Sequence, residues 1–334
     1  MIIINCCGIK QVTIVKTNND GGHFVAMGKT LTLKDIIKKQ CPTYFMKLKE
    51  PYINVIKSSG QAAPFSAEKV RQSLRRAGAT PEVIEMIMDE LYTKIYPNMP
   101  TRMIFKIASG LLKKYSRPVA ARYRLKQGIF ELGPSGFPFE QYMAELFLHA
   151  GFSASTNQIM NGHCVRHEID VLAVKNKQYH IVECKYHQQA GTRCDVKIPL
   201  YVQSRFKDVE WVLMATMGKE APECHGWVVT NTRFTRDALQ YGLCVGLRLL
   251  GWDYPADKGL KDIIDNAGLY PITCLTTLSR NEKNRLLEKG VVLCKTLAEH
   301  PAHLEAADIP QQKRALVEAE AKKMYDRITK LEWA

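Results

Sequence analysis

Two β-rich runs, Ile169–Val174 and Tyr179–Lys185, flank the polar tetrapeptide Lys175-Asn176-Lys177-Gln178, the pattern of a β-hairpin. A loop of either two or four residues centred there sets the same register. That register places Asp170 directly opposite Glu183 and Glu168 opposite Lys185, and opposite partners share a sheet face. Lys185 lies two residues beyond Glu183 and points the same way, whereas Ile169, Val171, Val182 and Cys184 take the other face. Three charged groups therefore converge on one side of an otherwise apolar hairpin. Two carboxylates buried together need a cation to neutralise them, and a hard divalent ion such as Mg²⁺ suits them. Such an ion, held by Asp170 and Glu183, would activate water against a phosphate, with Lys185 orienting that water or offsetting charge. A salt-bridged hairpin without chemistry fits the same residues, because short D…ExK patterns recur by chance.

The flanking residues add context. A helix from Pro138 to Ala150 carries Phe139, Met143, Leu146 and Phe147 at helical spacing and is closed by Gly151. Val228 to Thr235 reads as a strand ending where a capped helix begins at Asp237-Ala238-Leu239, and Leu243–Leu250 as a further strand. From about Phe139 to Leu250 the chain resembles the Mrr-like restriction endonucleases of the PD-(D/E)xK superfamily. The resemblance rests on Phe139-Glu140, Glu168-Ile169-Asp170-Val171, Val182-Glu183-Cys184-Lys185 and Val228–Thr235. It implies a restriction-endonuclease-like α/β core with a mixed sheet, and catalytic residues Glu140, Asp170, Glu183 and Lys185. Glu140 would be the helix-borne acid assisting the metal. Glu168 is expected to pair with Lys185, and Asp195, Gln203 and Arg205 are further candidates for phosphate or nucleotide contact.

The chain has 334 residues and a formal charge of +14, enough length for two or three domains and a balance that favours polyanions such as nucleic acid. No run approaches the ~20 apolar residues of a membrane span, and no secretory signal is visible. Ten cysteines without a C-x-x-C pair read as reduced thiols, and the whole as a cytoplasmic protein.

Tyr52 to about Gly133 patterns as a small, mostly helical unit. A strand at Tyr52–Lys57 meets a turn at Ser58-Ser59-Gly60, and helices follow Ser66, Thr80-Pro81, Thr101 and Pro118. This unit resembles the ATP-cone domain of ribonucleotide reductases and their repressor. The resemblance lies in the Val55-x-Lys57-x-x-Gly60 strand-turn, Pro64-Phe65, Glu68-Lys69, Pro100-Thr101 and Ala121-Arg122-Tyr123. It implies that Lys57, Lys69, Thr101 and Arg122 bind ATP or dATP as an effector.

Residues 1–48 are hard to assign. Val12–Val15 and Phe24–Ala26 read as short strands, Leu33–Lys39 as a helix, and Met46 as a candidate start that would make the preceding residues an extension. Gly28-Lys29-Thr30 lacks the glycine that a P-loop needs five positions earlier, where His23 stands. Beyond Pro255 the sequence is helical: Leu275–Lys289, Thr296–Glu299 and Gln311–Leu331. Its phrases are similar to helix-hairpin-helix modules, which grip DNA phosphates through hairpin amides; packing or dimerisation explains them equally.

The expected architecture is multidomain α/β. An extension (1–48) precedes an ATP-cone-like domain (49–133), a nuclease core (136–254) and a helical tail (268–334). The expected function is Mg²⁺-dependent endonucleolytic cleavage of DNA, in restriction of foreign or modified DNA, regulated by ATP or dATP. Concurrent cuts in both strands would need two one-site chains, which points to a homodimer. The alternative is a nucleotide-sensing DNA-binding regulator with an inactive nuclease fold.

Overall fold

A computed structural model of the chain describes residues 23–26, 29–32, 53–217 and 223–325. The expected strand at Val12–Val15, the helix near Leu33–Lys39, the Met46 start and the last helix beyond Tyr325 lie outside the described residues. Strands β1 (His23–Ala26) and β2 (Lys29–Thr32) pair antiparallel. Lys29 and Thr30 thus sit on a strand rather than at the head of a phosphate-cradling helix.

In the next unit β3 (Asn54–Ile56) runs between β4 (Ala62–Pro64), antiparallel, and β5 (Met99–Pro100), parallel. Around it stand α1 (Ala67–Arg76), α2 (Pro81–Lys94), α3 (Thr101–Tyr115) and α4 (Arg117–Tyr123), and α5 (Leu125–Phe130) leads out. Ser66 caps α1 by accepting the Lys69 N–H at 3.4 Å. The cap of α3 is Pro100, not Thr101, which is already the first helical residue. Leu74, Ile87, Met88, Leu91 and Leu112 fill the space beside Val55, as their helical spacing requires.

The α/β unit begins with α6 (Phe137–His149), followed by β6 (Ser153–Asn161), β7 (Arg166–Lys175) and β8 (Gln178–Lys185). After a two-residue β9 (Arg193–Cys194) come α7 (Lys197–Met217), β10 (Glu223–Thr230), β11 (Arg233–Phe234), α8 (Arg236–Cys244) and β12 (Arg248–Leu250). The main sheet is mixed, in the order β12-β10-β8-β7-β6; β6, β7 and β8 are antiparallel neighbours, and β10 and β12 join in parallel. The strand expected over Leu243–Leu250 is shorter. Leu243 and Cys244 finish α8, and Gly246 turns the chain with φ +79°, so only Arg248–Leu250 pairs.

Apolar side chains of α6, among them Phe139, Met143 and Phe147, cover Val171, Val182 and Trp227 on one face of the sheet. Phe206 and Val209 of α7 cover Ile169 and Ile181 on the other.

The C-terminal helices are α9 (Leu260–Ala267), α10 (Arg280–Glu288), α11 (Cys294–Glu299), α12 (Ala302–Ala306) and α13 (Gln311–Tyr325). The helix expected from Leu275 starts only at Arg280, because Ser279 and Glu282 form a capping box there. These helices do not stand apart as a tail. Leu286, Leu293, Leu297 and Val317 belong to the same apolar cluster as α6, and the buried Tyr142 hydroxyl donates to Leu269 O at 2.7 Å. At the α12–α13 hairpin the amides of Ala307, Asp308 and Ile309 donate to carbonyls of residues 303–305. They are spent within the turn and do not offer the phosphate grip expected of a helix-hairpin-helix module. Among the described residues no helix is long and apolar enough to cross a membrane.

Glu320 of α13 is 4% exposed. It accepts from the Thr276 amide (2.9 Å) and hydroxyl (2.7 Å), and from the Thr277 amide (3.0 Å) and hydroxyl (2.6 Å). Removing that carboxylate strands buried donors. Glu320→Ala should cost about 3 kcal/mol of global stability, read as a lower denaturant midpoint with a single transition. Loss confined to a separate C-terminal transition would contradict a shared core.

Candidate functional site

The β7–β8 hairpin closes through Asn176 (φ 51°) and Lys177 (φ 63°), a two-residue turn of the type that matches strand twist. Its ladder runs Lys175↔Gln178 to Val171↔Val182, the register expected from the sequence. The ladder then stops. Asp170 lies one step further, and its Oδ2 accepts the Cys184 amide at 2.7 Å in place of a strand-to-strand bond. On the other side of β7 the pairing with β6 passes from Thr156↔Val171 to Gln158↔Ile169, skipping Asn157, which takes φ +54°. The backbone is thus irregular at Asp170, and its consequence is visible in Ile169. Simple alternation puts Ile169 beside Val171, yet it packs with Phe206 and Val209 on the α7 side while Val171 packs on the α6 side.

At this opening the charged side chains gather. Arg205, on α7, places Nη1 2.5 Å from Glu183 Oε2, and its Nη2 donates to the Glu168 carbonyl oxygen. Glu168 itself forms no ion pair with Lys185 among the described residues. Arg205 instead takes both the Glu183 carboxylate and the Glu168 carbonyl. α7 is itself pinned: Asp208 accepts from the amides of Cys164 (2.8 Å) and Val165 (3.3 Å) and meets His167 Nε2 at 2.7 Å. From the α6 side comes Glu140. Burial, then the charges of Asp170, Glu168 and Glu183, push its carboxyl up to about 7. Burial and Asp170 push Glu183 up to about 7 as well, against the pull of Arg205 and Lys185. Burial raises Asp170 too, opposed by the Cys184 amide and Arg205.

The donor set fits a hard divalent cation. It consists of carboxylate oxygens whose ionisation is disfavoured first by burial and then, at Glu140 and Glu183, by one another's charge. Among the described residues no three His, Cys, Asp or Glu side chains form a metal-binding group. An ion resting on Asp170 and Glu183 would therefore take its remaining ligands from solvent or phosphate oxygens.

Past Lys185 the chain is held by Asn231, which follows β10. Its Oδ1 accepts the His187 amide (2.8 Å) and its Nδ2 donates to the His187 carbonyl (2.8 Å). Asn231 is fully buried, and nothing in its local sequence marks it as the clamp on the exit of β8. Of the other candidates, Asp195 accepts the Lys197 amide at the start of α7 (3.0 Å), and Gln203 buries its Oε1 without a hydrogen-bond partner.

Comparison with known proteins places two regions of the chain. Residues 53–127 match the ATP cone domain, and residues 270–325 match the family described as AF1548-like, C-terminal. An uncharacterized protein of Archaeoglobus fulgidus is 35% identical over 183 residues, which are 54% of this chain and 99% of that protein. The chain belongs to the AF1548-like family. A crystal structure of AF1548, described as a protein of unknown function, is 34% identical and aligns over 56% of this chain and 97% of its own, with a TM-score of 0.47.

In the ATP cone of this AF1548-like protein, Ile56 pairs with Pro100, so Lys57 and Thr101 follow each other's strands at one end of the small sheet. Lys69 enters from the opposite end, on the first turn of α1 after β4. Arg122 is occupied structurally, donating to Ala77 O (2.9 Å) and to Lys323 O of α13 (3.2 Å). The cone is tied to the rest of the AF1548-like chain by Arg76, which meets Asp262 at 2.7 Å and Asp265 at 3.1 Å.

Glu140 and Glu183 titrate near 7 in the folded chain, against 4.5 for a free carboxyl. The folded state therefore holds more protons than the unfolded one between those values, and stability falls as pH rises through that window. Glu140→Gln should raise stability at pH 8 by roughly 1 kcal/mol, allowing for solvent screening, and by less at pH 5. Denaturant midpoints at the two pH values measure this; an equal effect at both would contradict the crowding of carboxylates as its cause.

Proposed function

We propose that this AF1548-like protein is a Mg²⁺-dependent DNA endonuclease of the PD-(D/E)xK type, acting in restriction of foreign or modified DNA under control of ATP or dATP. The observation that carries the reading is the meeting of Asp170, Glu183 and Lys185 with Glu140 where β7 and β8 part. The mixed sheet, with a preceding helix and a downstream strand–helix unit, supports the Mrr-like resemblance. Mg²⁺ held by Asp170 and Glu183 would supply a more acidic water and charge stabilisation at the phosphate. To hold such an ion, Glu183 would have to release the Arg205 guanidinium that now meets its Oε2. Lys185 as the ammonium offsets charge developing on the phosphate oxygens, or as the neutral amine takes the proton of the attacking water at Nζ. Glu140 can hold or release a proton at its carboxyl close to neutral pH. Concurrent cutting of both strands calls for a homodimer.

Control by nucleotide is supported by a direct approach between the two units. A Cβ on Gly191, in the loop that follows β8, would lie 3.4 Å from Ser58 O and 3.6 Å from Ser59 Cα. The turn that carries Lys57 therefore rests on the loop six residues past Lys185. The second reading, a nucleotide-sensing DNA-binding regulator, is favoured by one contact: the Arg205 guanidinium already occupies Glu183 Oε2.

Plasmid DNA incubated with Mg²⁺, with and without ATP, separates the two. The wild-type protein should nick it, EDTA should abolish nicking, and Asp170→Ala and Lys185→Ala should each lower the rate on the order of 100-fold or more. ATP should change the wild-type rate. Equal nicking by both variants would refute the site, and DNA binding without cleavage under any of these conditions would favour the regulator.

A further inference from the structure

Beside the exit of β8 lies a cavity of about 220 Å³ to which three distant segments contribute: the turn at 130–134, residues 186–188 and the start of α10. We propose that this cavity is a phosphate-binding site that seats a backbone phosphate of the DNA strand next to the reacting one. The site is built from within. Lys283, 4% exposed, lines it and donates from Nζ to Thr273 O (2.6 Å) and to Glu131 Oε2 (3.1 Å). The other oxygen of Glu131 accepts from Arg124 at 3.0 Å, so two cations share one carboxylate and the wall keeps a positive charge. Arg280, exposed at the mouth, has no ion pair among the described residues and adds to that charge.

The cavity's main-chain oxygens do not compete for this charge. Phe130 O accepts the Tyr186 hydroxyl at 2.7 Å, and Pro134 O accepts the Gln188 side-chain amide at 3.1 Å. Facing the space are the Arg280 guanidinium and the side-chain amide of Asn284, beside Lys283, whose ammonium is held by Thr273 O and the lining carboxylate of Glu131. Guanidinium, ammonium and amide groups around a partly enclosed space recognise a phosphate oxygen cluster. The cavity adjoins the carboxylate cluster at Gly136, where a Cβ would lie 3.7 Å from Tyr186 Cβ and 3.8 Å from Glu140 Oε1. A strand lying along Glu140 would therefore pass beside this cavity. The three donors all come from the segment that matches the AF1548-like C-terminal family, and that segment would thereby hold the strand beside the site.

The identity of the anion as DNA backbone rests on the nuclease reading; the phosphate chemistry does not. Arg280 and Asn284 are both exposed, so the double variant Arg280→Ala/Asn284→Ala should fold. The test uses full-length protein in EDTA, a short labelled DNA duplex followed by anisotropy between about 50 and 200 mM salt, and parallel titrations with ATP and inorganic phosphate. The double variant should bind duplex about 10-fold more weakly, and the slope of log affinity against log salt should flatten by about 0.9 for each phosphate no longer neutralised. Its ATP affinity should be unchanged, and inorganic phosphate should weaken duplex binding to the wild type more than to the variant. Wild-type affinity and slope in the variant would overturn the proposal. So would a variant that loses ATP affinity while keeping its grip on DNA. Because nothing is cleaved in EDTA, a protein that grips DNA through Arg280 yet never cuts would sustain this site and sink the catalytic reading.

Discussion

Like charges crowded into a poorly solvated space need a counter-charge, and the organisation of this protein follows from how it meets that need. Glu140, Asp170 and Glu183 approach from α6, β7 and β8, and Arg205 from α7 forms an ion pair with Glu183. Each element is held from behind. Asp208 ties α7 to the β6–β7 connection, Asn231 clamps the chain past Lys185, and the C-terminal helices share the core that backs α6. A charge cluster of this kind costs stability, which is why it reads as a site and not as decoration.

The stretch of residues 186–191, which follows the β7–β8 hairpin, touches both the ATP cone and the C-terminal helices. Its first half lines the cavity completed by α10, and its tip lies against the Ser58–Ser59 turn of the ATP cone. Movement of that stretch would reach Lys185 without passing through the sheet.

The hairpin register is legible in the sequence because an Asn-Lys turn between alternating runs allows few pairings, and the buried Val171, Val182 and Cys184 accept only one of them. The ATP cone is legible from its helix caps and its strand-turn. Alternation misplaces Ile169 on the Val171 face because it presumes regular strands, and the backbone departs from regularity at Asn157 and Asp170. The Glu168–Lys185 pair gives way to Arg205 of α7, which takes both the Glu183 carboxylate and the Glu168 carbonyl. The strand at Leu243–Leu250 reads too long since apolar residues at the end of α8 and in β12 form one unbroken run. The C-terminal segment reads as a separate tail because sequence shows which faces are apolar but not which partner covers them.

We propose that Asp170 and Glu183 form a divalent-cation site, and that Glu183, pushed up to about 7, gives up its proton when the ion arrives. Calorimetric titration of Mn²⁺ into the metal-free protein at pH 7, in buffers of different ionisation enthalpy, tests this directly by counting protons released on binding. The expected result is saturable binding that releases protons, lost in Asp170→Asn and in Glu183→Gln. Binding without proton release, or binding that survives both substitutions, would contradict it.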